Sequence, residues 1–148
     1  MSQVYSTYYA LPLLKYGGAV VNVSSSSALC PFGLVSGYTA SKSASMHFST
    51  AIAQELKNVS VSAVMPGFVK TDIMREQNVN EKEAKLINMV SSDCEKTVSK
   101  ILRRVRRRKK RIVVGADAHL MSFLYRFFPG LAPKIISKFL KKSGLELF

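Results

Sequence analysis

The sequence predicts an α/β fold in which about three parallel strands pack against flanking helices and a helical C-terminal tail follows. Three valine-rich runs, at 20–23, 59–65 and 111–115, are separated by longer stretches of helical character, and this alternation is typical of a parallel sheet. The chain has 148 residues, of which 47% are hydrophobic. It can therefore bury a single core and is not intrinsically disordered.

The first predicted element is a helix over residues 2–14, because apolar and aromatic side chains recur there at near-helical spacing and Pro12 falls near the end. A short buried strand should follow at 20–23, where β-branched valines dominate. Four serines, residues 24–27, then stand where this strand ends. Their hydroxyl groups should be exposed at the end of the strand, where chemistry is expected.

A long helix is predicted from Tyr38 onward, because Pro31, Gly33 and Gly37 break regular structure before it and the next stretch has neither glycine nor proline. Residues four apart lie one helical turn from each other, so the Lys42 ammonium should stand near the Tyr38 phenol. A positive neighbour favours the ionised phenol, so we expect Tyr38 to exchange protons near neutral pH. A serine hydroxyl facing this phenol would hold a carbonyl or alcohol oxygen between two donors, as hydride chemistry requires.

Three motifs in this order resemble those of the short-chain dehydrogenase/reductase family. Asn22-Val23-Ser24-Ser25 is similar to the family's N-[IV]-S-S, and Ser25 lies thirteen residues before the Tyr38 of its Y-x-[AS]-S-K motif. The stretch 66–71, Pro-Gly-Phe-Val-Lys-Thr, is similar to its P-G-x-x-x-T. The resemblance implies an incomplete Rossmann-like fold and hydride transfer between NAD or NADP and an alcohol or carbonyl substrate, expected to be hydrophobic.

The same resemblance implies roles for individual residues. Tyr38 would donate or accept the proton, Lys42 would assist it and grip the nicotinamide ribose, and Ser25 would orient the substrate oxygen. Ser24 or Ser26 would replace Ser25 if the strand register differed. Cofactor binding would also involve the turn after the second strand, where Gly67 allows close approach of a flat ring and an amide could be bound. The residues concerned are Pro66, Gly67, Val69 and Thr71.

The family's dinucleotide-binding half is expected to be absent, because no glycine-rich phosphate turn follows a strand. NAD therefore cannot be distinguished from NADP. We predict a catalytic half at 1–115 and an amphipathic helical extension at 116–148. The alternative is a truncated, inactive form that acts as an interaction or membrane-surface module.

The long helix carries a stripe of apolar residues every fourth position, with small residues beside it that would let another helix approach. This stripe either packs on the sheet or forms an oligomer interface, and both interpretations stay open. A homo-oligomer would use the helices at 1–16 and 38–57. The stripe consists of Ala44, Phe48, Ile52 and Leu56.

Residues 72–90 should form one or two short helices, which the resemblance identifies as a variable substrate lid. Ser92-x-x-Glu95 reads as a capping box at the start of the next helix. Eight basic residues then crowd the segment 103–111, in a chain of net charge +13. Such runs are usually solvated, with an anionic membrane or phosphorylated ligand as the alternative, and the lack of interleaved aromatic residues disfavours nucleic acid.

After the third strand, residues 116–119 are predicted as a loop, and two short amphipathic helices broken at Pro129-Gly130 and Pro133 should follow. We expect this tail to cover the substrate side of the fold; alternatively it lies on a bilayer. In the second case four lysines would face the headgroups: Lys134, Lys138, Lys141 and Lys142.

Cys30 and Cys94 show neither metal-ligand spacing nor the pattern of a disulfide scaffold, and neither His47 nor His119 has a suitable partner, so no metal site is predicted. Neither a signal peptide nor a membrane-spanning segment is predicted from these residues. We expect the protein to be cytoplasmic, and to be peripheral to a membrane if the tail binds one.

Overall fold

Three parallel strands form the centre of the computed structural model, which describes residues 1–14, 17–71 and 91–142. They are β1 (Ala19–Val23), β2 (Ser60–Pro66) and β3 (Arg111–Val114), in the order β1-β2-β3. Val20 pairs with Val61 across the first interface, and Val64 pairs with Ile112 across the second. The predicted α/β class with a three-stranded parallel sheet is confirmed, and each strand agrees with its prediction to within one residue at either end.

Five α-helices accompany the sheet in the described part of the chain. Two 3-10 turns, Leu11–Leu13 and Ser26–Ala28, follow the first helix and the first strand. Pro12 falls inside the first of these turns, so the opening helix ends where the proline predicted. The helices are α1 (Ser2–Ala10), α2 (Ser36–Glu55), α3 (Cys94–Arg106), α4 (Ala116–Phe127) and α5 (Ala132–Lys142).

The core lies on both faces of β2, whose Ala63, Val64 and Met65 are fully buried. On one face Ala63 and Met65 join Met46 of α2. On the other face Val64 and two β3 residues contact α3. Burying each such aliphatic side chain contributes about 1.5–3 kcal/mol, so β2 anchors a three-layer arrangement.

The first strand departs from its prediction as a buried element. Val21 and Val23 remain 39% and 48% exposed, because β1 is the edge strand of the described sheet. Its buried residue is Asn22, whose side-chain amide donates a hydrogen bond to Ser49 Oγ in α2 at 2.9 Å. A buried polar pair thus joins the first strand to the long helix.

The buried face of α2 differs from its apolar stripe. The helix buries Thr39, Met46, Ser49 and Ala53, whereas Ala44 is exposed and the other three stripe residues are only partly buried. Small and polar side chains allow α2 to lie close to the sheet through contacts such as Asn22–Ser49. The stripe therefore does not coincide with the fully buried face of α2.

Two local predictions near the C-terminal helices are corrected. The N-cap of α3 is Asp93, whose carboxylate accepts from the Lys96 N–H at 2.9 Å, and Ser92 instead pairs its backbone with Val69. The residues after β3 form the start of α4 and not a loop, because Gly115, at φ +109°, turns the chain directly into a helix.

The chain breaks at Pro129-Gly130 as predicted, but Pro133 lies in the first turn of α5, where a missing N–H costs nothing. Both tail helices pack on the segment between the serines and α2. Cys30, Met121 and Ala132 form one buried cluster there, and the Gly33 N–H donates to Ser137 Oγ at 2.8 Å.

The predicted helices of the substrate lid, 72–90, lie outside the described residues. Within the described ranges, no helix has the length and apolar character needed to cross a bilayer.

Candidate functional site

Three serines at the carboxyl end of β1 have different surroundings. Ser24 is buried and donates its hydroxyl to the Lys42 carbonyl at 2.6 Å, so it joins the strand to α2. Ser25 is half-buried, and its Oγ accepts from the Ser27 N–H at 3.2 Å. Its hydroxyl hydrogen has no acceptor among the described residues, so it remains available, whereas Ser26 is buried.

Tyr38 and Lys42 meet on one face of α2, as their spacing predicted. The Lys42 ammonium lies 5.6 Å from the centroid of the Tyr38 ring and donates to the Val23 carbonyl at 3.4 Å. Tyr38 is 44% exposed, so its phenol can be reached from solvent. The lysine thus lies between the end of β1 and the tyrosine.

Gln3 of α1 is a neighbour of this group that sequence reasoning missed. Its side-chain amide nitrogen donates to the same Val23 carbonyl at 2.8 Å, and its amide oxygen accepts from the Ser45 hydroxyl. The Val23 carbonyl oxygen therefore accepts two hydrogen bonds, one from Gln3 of α1 and one from Lys42 of α2. A cavity of about 420 Å³ lies between α1 and α2 and includes Lys42 in its lining. A long amide side chain on a helix leaves no sequence signal that distinguishes it from a solvated residue.

The segment between Ser25 and Tyr38 contains a strained residue. Leu34 adopts φ +78°, a left-handed conformation that costs a non-glycine residue about 1–2 kcal/mol. It directly precedes Val35, the N-cap of α2. Such strain persists only where the surrounding structure enforces it, and here Ser137 of α5 binds the backbone of the adjacent Gly33.

The loop 66–71 is fixed from two sides. The Gly67 N–H donates to the Val114 carbonyl at 2.8 Å, and the Phe68 N–H donates to Asp117 Oδ2 at 2.7 Å. On the other side, Ser92 forms a parallel bridge with Val69, accepting from the Lys70 N–H at 3.0 Å and donating to the Phe68 carbonyl at 2.8 Å. The loop is therefore ordered by backbone hydrogen bonds to two distant segments.

This bridge leaves the backbone of Val69 with open hydrogen-bonding groups. In a parallel bridge the bonds use the residues before and after the bridged one, so the N–H and C=O of Val69 point away from Ser92. Neither group has a hydrogen bond within the described residues. One donor and one acceptor are thus presented side by side, while Thr71 lies exposed two residues later.

The glycine of this loop has a different neighbour from the one expected. A Cβ placed on Gly67 would overlap the Asp117 carboxylate, so the space beside it belongs to a side chain of the protein. The expectation that Gly67 leaves room for a flat ring is therefore corrected on this face. Asp117 was missed by sequence reasoning; the available signal was an acid two residues after Gly115, the glycine that follows the third strand.

The predicted residues form two groups at the same edge of the sheet. Ser25 with Tyr38 and Lys42 lies at the carboxyl end of β1, and 66–71 follows the carboxyl end of β2. Ligands bind at the carboxyl edge in open parallel α/β sheets. The arrangement can offer hydroxyl, phenol and ammonium donors from one group and paired amide groups from the other.

Cys30 and Cys94 are unpaired, and their environments differ. Cys30 is buried beneath the tail helices, and desolvation by burial raises the pKa of its thiol to about 11. Cys94 is exposed at the start of α3. His47 Nδ1–H donates to the Ser43 carbonyl of its own helix at 2.9 Å. The described residues contain no group of three or more potential metal ligands.

The basic run occupies the end of α3 and the connection to β3. Arg104 is partly buried and donates to the Val113 carbonyl at 2.5 Å, which fastens α3 to the sheet. The basic residues 106–111 are exposed. Arg108 has φ +52° where the helix ends.

Comparison with known proteins identifies the family. The model described as short chain dehydrogenase matches residues 1–83. Estradiol 17-beta-dehydrogenase 2 of Mus musculus is 41% identical over 87 residues, which cover 56% of this chain and 23% of that protein. Cyclohexanol dehydrogenase of Acinetobacter sp. is 36% identical over 76 residues, covering 49% of this chain and 30% of that protein. The chain thus matches only about a quarter of the length of its first curated relatives.

A solved structure supports the fold. A short chain dehydrogenase from Burkholderia cenocepacia J2315, in complex with NADP, aligns with a TM-score of 0.61 at 22% identity, over 76% of this chain and 44% of that one. Because the family model spans more than half of the sequence, the chain belongs to the short chain dehydrogenase family, a family of oxidoreductases.

Proposed function

We propose that this chain carries the catalytic residues of an NAD(P)-dependent oxidoreductase acting on an alcohol or carbonyl group of a small molecule. The observation that carries the proposal is the Lys42 ammonium held between the Tyr38 ring and the end of β1. Family membership supports the same reaction class. The bound nicotinamide would supply or accept the hydride.

The protein's own residues handle the substrate oxygen. Tyr38 exchanges a proton with it, since its side chain is 44% exposed and the Lys42 ammonium lies 5.6 Å from its ring. Ser25 donates its free hydroxyl hydrogen to the same oxygen. Ser24 is the less suitable serine, because its hydroxyl is already given to the Lys42 carbonyl.

The residues at the carboxyl edge fit a nicotinamide cofactor. A primary carboxamide has both a donor and an acceptor, and Val69 offers the complementary N–H and C=O. Thr71 adds a hydroxyl, while Pro66 and Gly67 set the direction of the loop. Lys42 and Tyr38 contact the nicotinamide ribose in this proposal. NAD and NADP remain equal candidates.

A hydrophobic alcohol or ketone is the proposed substrate. Two relatives are named for estradiol and for cyclohexanol. In this chain, the segment between Ser25 and Tyr38 carries apolar side chains, of which Phe32 is partly buried and Leu34 is 38% exposed. Apolar surface beside the reacting group favours such a substrate over a sugar or an acid.

Turnover with each cofactor tests this proposal. Purified protein is incubated with NAD or NADP and with estradiol or cyclohexanol, and formation of the reduced cofactor is followed by absorbance. We expect turnover with at least one combination. Absence of both turnover and cofactor binding by calorimetry would favour the rival function, an inactive module that binds other macromolecules; family membership does not favour that rival.

A division into a catalytic half at 1–115 and an extension at 116–148 is part of the proposal.

We also propose that the protein self-associates through the helices at 1–16 and 38–57. The exposed small residues of α2 and the exposed Tyr5, Tyr8 and Tyr9 of α1 support a helix–helix interface there. Sedimentation of the protein, with Ala44→Arg as the variant expected to dissociate it, tests this interface.

The tail helices also offer an apolar surface edged by positive charge. Several large apolar side chains are about half exposed on α4, on α5 and between them, and three lysines of α5 are exposed nearby. We propose contact with an anionic bilayer. Co-sedimentation with phosphatidylserine vesicles should exceed that with phosphatidylcholine vesicles and fall in Phe123→Ser/Phe127→Ser; equal binding to both, or none, contradicts the proposal. The apolar residues are Leu120, Phe123, Phe127, Phe128, Leu131 and Ile135.

A further inference from the structure

A carboxylate with no assigned task lies beside the loop 66–71. Asp117 accepts the Phe68 N–H through Oδ2 at 2.7 Å, although 49 residues separate them in sequence. A hydrogen bond to a charged acceptor is roughly twice as strong as a neutral one. Its Oδ1 is buried and has no hydrogen bond in the part of the chain that the structure describes. The carboxylate is thus held close to the loop backbone.

Two glycines make the space for this carboxylate. A Cβ on Gly67 or on Gly115 would overlap an oxygen of Asp117. These glycines follow β2 and β3, the two strands that pair side by side. The Asp117 carboxylate therefore lies between the backbone at Gly67 and the backbone at Gly115, at the carboxyl end of the sheet.

The helix that carries Asp117 is well anchored. Asp117 lies in the first turn of α4, where the partial positive charge of the helix N-terminus stabilises an anion. The next residue, Ala118, is fully buried, and Met121 one turn later belongs to the cluster beneath the tail. The packing of α4 therefore fixes the position of the Asp117 carboxylate.

This contact controls the direction of Val69. Asp117 binds the N–H of Phe68, while Ser92 binds its carbonyl at 2.8 Å, so both backbone groups of Phe68 are fixed. The following residue then has its own N–H and C=O turned away from Ser92. Without the Asp117 contact, only the Ser92 bridge would hold the loop on its open side.

We propose that Asp117 is a positioning residue, which holds Phe68 so that the backbone groups of Val69 meet the carboxamide of the nicotinamide cofactor. The inference rests on the proposed function for the site. Asp117 then has two effects that can be measured separately. It orders the loop 66–71 in the ligand-free protein, and this order raises the affinity for the cofactor.

Two variants of Asp117 test the inference. Asp117→Ala leaves the Phe68 N–H without its acceptor, whereas Asp117→Asn keeps an acceptor oxygen and a similar shape. Glu55→Ala is the matched control, since it also removes one acidic side chain but is exposed at the end of α2. Thermal unfolding of all three variants reports general stability.

The first measurement is amide hydrogen exchange of the ligand-free protein by NMR. We expect the Phe68 amide to exchange at least about tenfold faster in Asp117→Ala than in the wild type, with β2 amides such as Val64 unchanged. Asp117→Asn and Glu55→Ala should resemble the wild type. Unchanged exchange at Phe68 in Asp117→Ala would overturn the inference.

The second measurement separates KM from kcat for the nicotinamide cofactor. We expect Asp117→Ala to raise the cofactor KM about tenfold with kcat within about twofold, and Asp117→Asn to restore most of the affinity. An unchanged KM together with a lower unfolding temperature would show a merely structural role and overturn the inference. If the wild type neither turns over nor binds either cofactor, the proposed function fails, while hydrogen exchange still decides whether Asp117 orders the loop.

Discussion

The two groups at the carboxyl edge of the sheet are built in different ways. Tyr38 and Lys42 lie on consecutive turns of one helix, and their relative placement is fixed by helical geometry alone. The loop 66–71 has no such local framework and depends on Ser92 and Asp117, which lie far along the chain. A change in the first group should therefore alter chemistry with little effect on folding, whereas a change in the second should alter loop order and stability together.

The strongest way to test this contrast is to remove the phenol. Tyr38→Phe keeps the ring over which Lys42 lies but deletes the hydroxyl, so turnover should fall by about 10²–10⁴ with little change in unfolding temperature. Tyr8→Phe is the control, because that tyrosine is exposed on α1. Turnover in Tyr38→Phe close to that of the wild type would refute the role given to the phenol.

Neighbouring serines allow a comparison within the first group. Ser25→Ala should lower turnover by about 10²-fold. It should also cost about 0.5–1 kcal/mol in the free energy of unfolding, because it removes the hydroxyl that accepts from the Ser27 N–H. Ser24→Ala should cost about 1 kcal/mol in the free energy of unfolding, because it removes the bond to the Lys42 carbonyl. Kinetics and urea unfolding of both variants measure these effects. A larger turnover loss in Ser24→Ala would exchange their roles.

Two glycines provide opposite expectations for stability. Gly67→Ala should lower the free energy of unfolding by about 1–3 kcal/mol, because its Cβ overlaps the Asp117 carboxylate. Gly37→Ala should raise it by about 0.5–1 kcal/mol, because the site lies in α2 and has no atom within 4 Å of the new Cβ.

The cost at Gly67 should also shrink when Asp117→Ala is present, since the overlapping group is then gone. Chemical denaturation of the single and double variants measures this coupling. Additive costs would show that Asp117 is not the cause.

The last prediction concerns the thiol of Cys30, which is buried beneath the tail helices. Burial raises the pKa of Cys30 from 9.0 to about 11, so the folded state holds this proton more tightly than the unfolded state. Its contribution to stability is present below pH 9 and is lost as the pH rises toward 11. The stability difference between the wild type and Cys30→Ala should therefore shrink over this interval. A constant difference in urea unfolding would contradict the shift.

The sequence was most informative where neighbours in the chain are neighbours in space. The spacing of Tyr38 and Lys42, the valine-rich strands and the break at Pro129-Gly130 follow from local geometry, and the structure agrees with them. The stripe on α2 did not identify the fully buried face of the helix, which includes the small residues Ser49 and Ala53. The contacts of Asp117 and Gln3 depend on how separate elements meet, which no local pattern encodes.

The bond from Gly33 to Ser137 spans 104 residues, and this has a consequence for biosynthesis. At roughly 5–20 residues per second, the ribosome needs about 5–20 s to deliver Ser137 after Gly33 has been made. Throughout that interval the tail helices do not yet cover the strained turn at Leu34 and the thiol of Cys30. A nascent chain would thus expose the apolar surface around Cys30 until α5 has been synthesised, and during that interval this surface is open to aggregation or to binding by a chaperone.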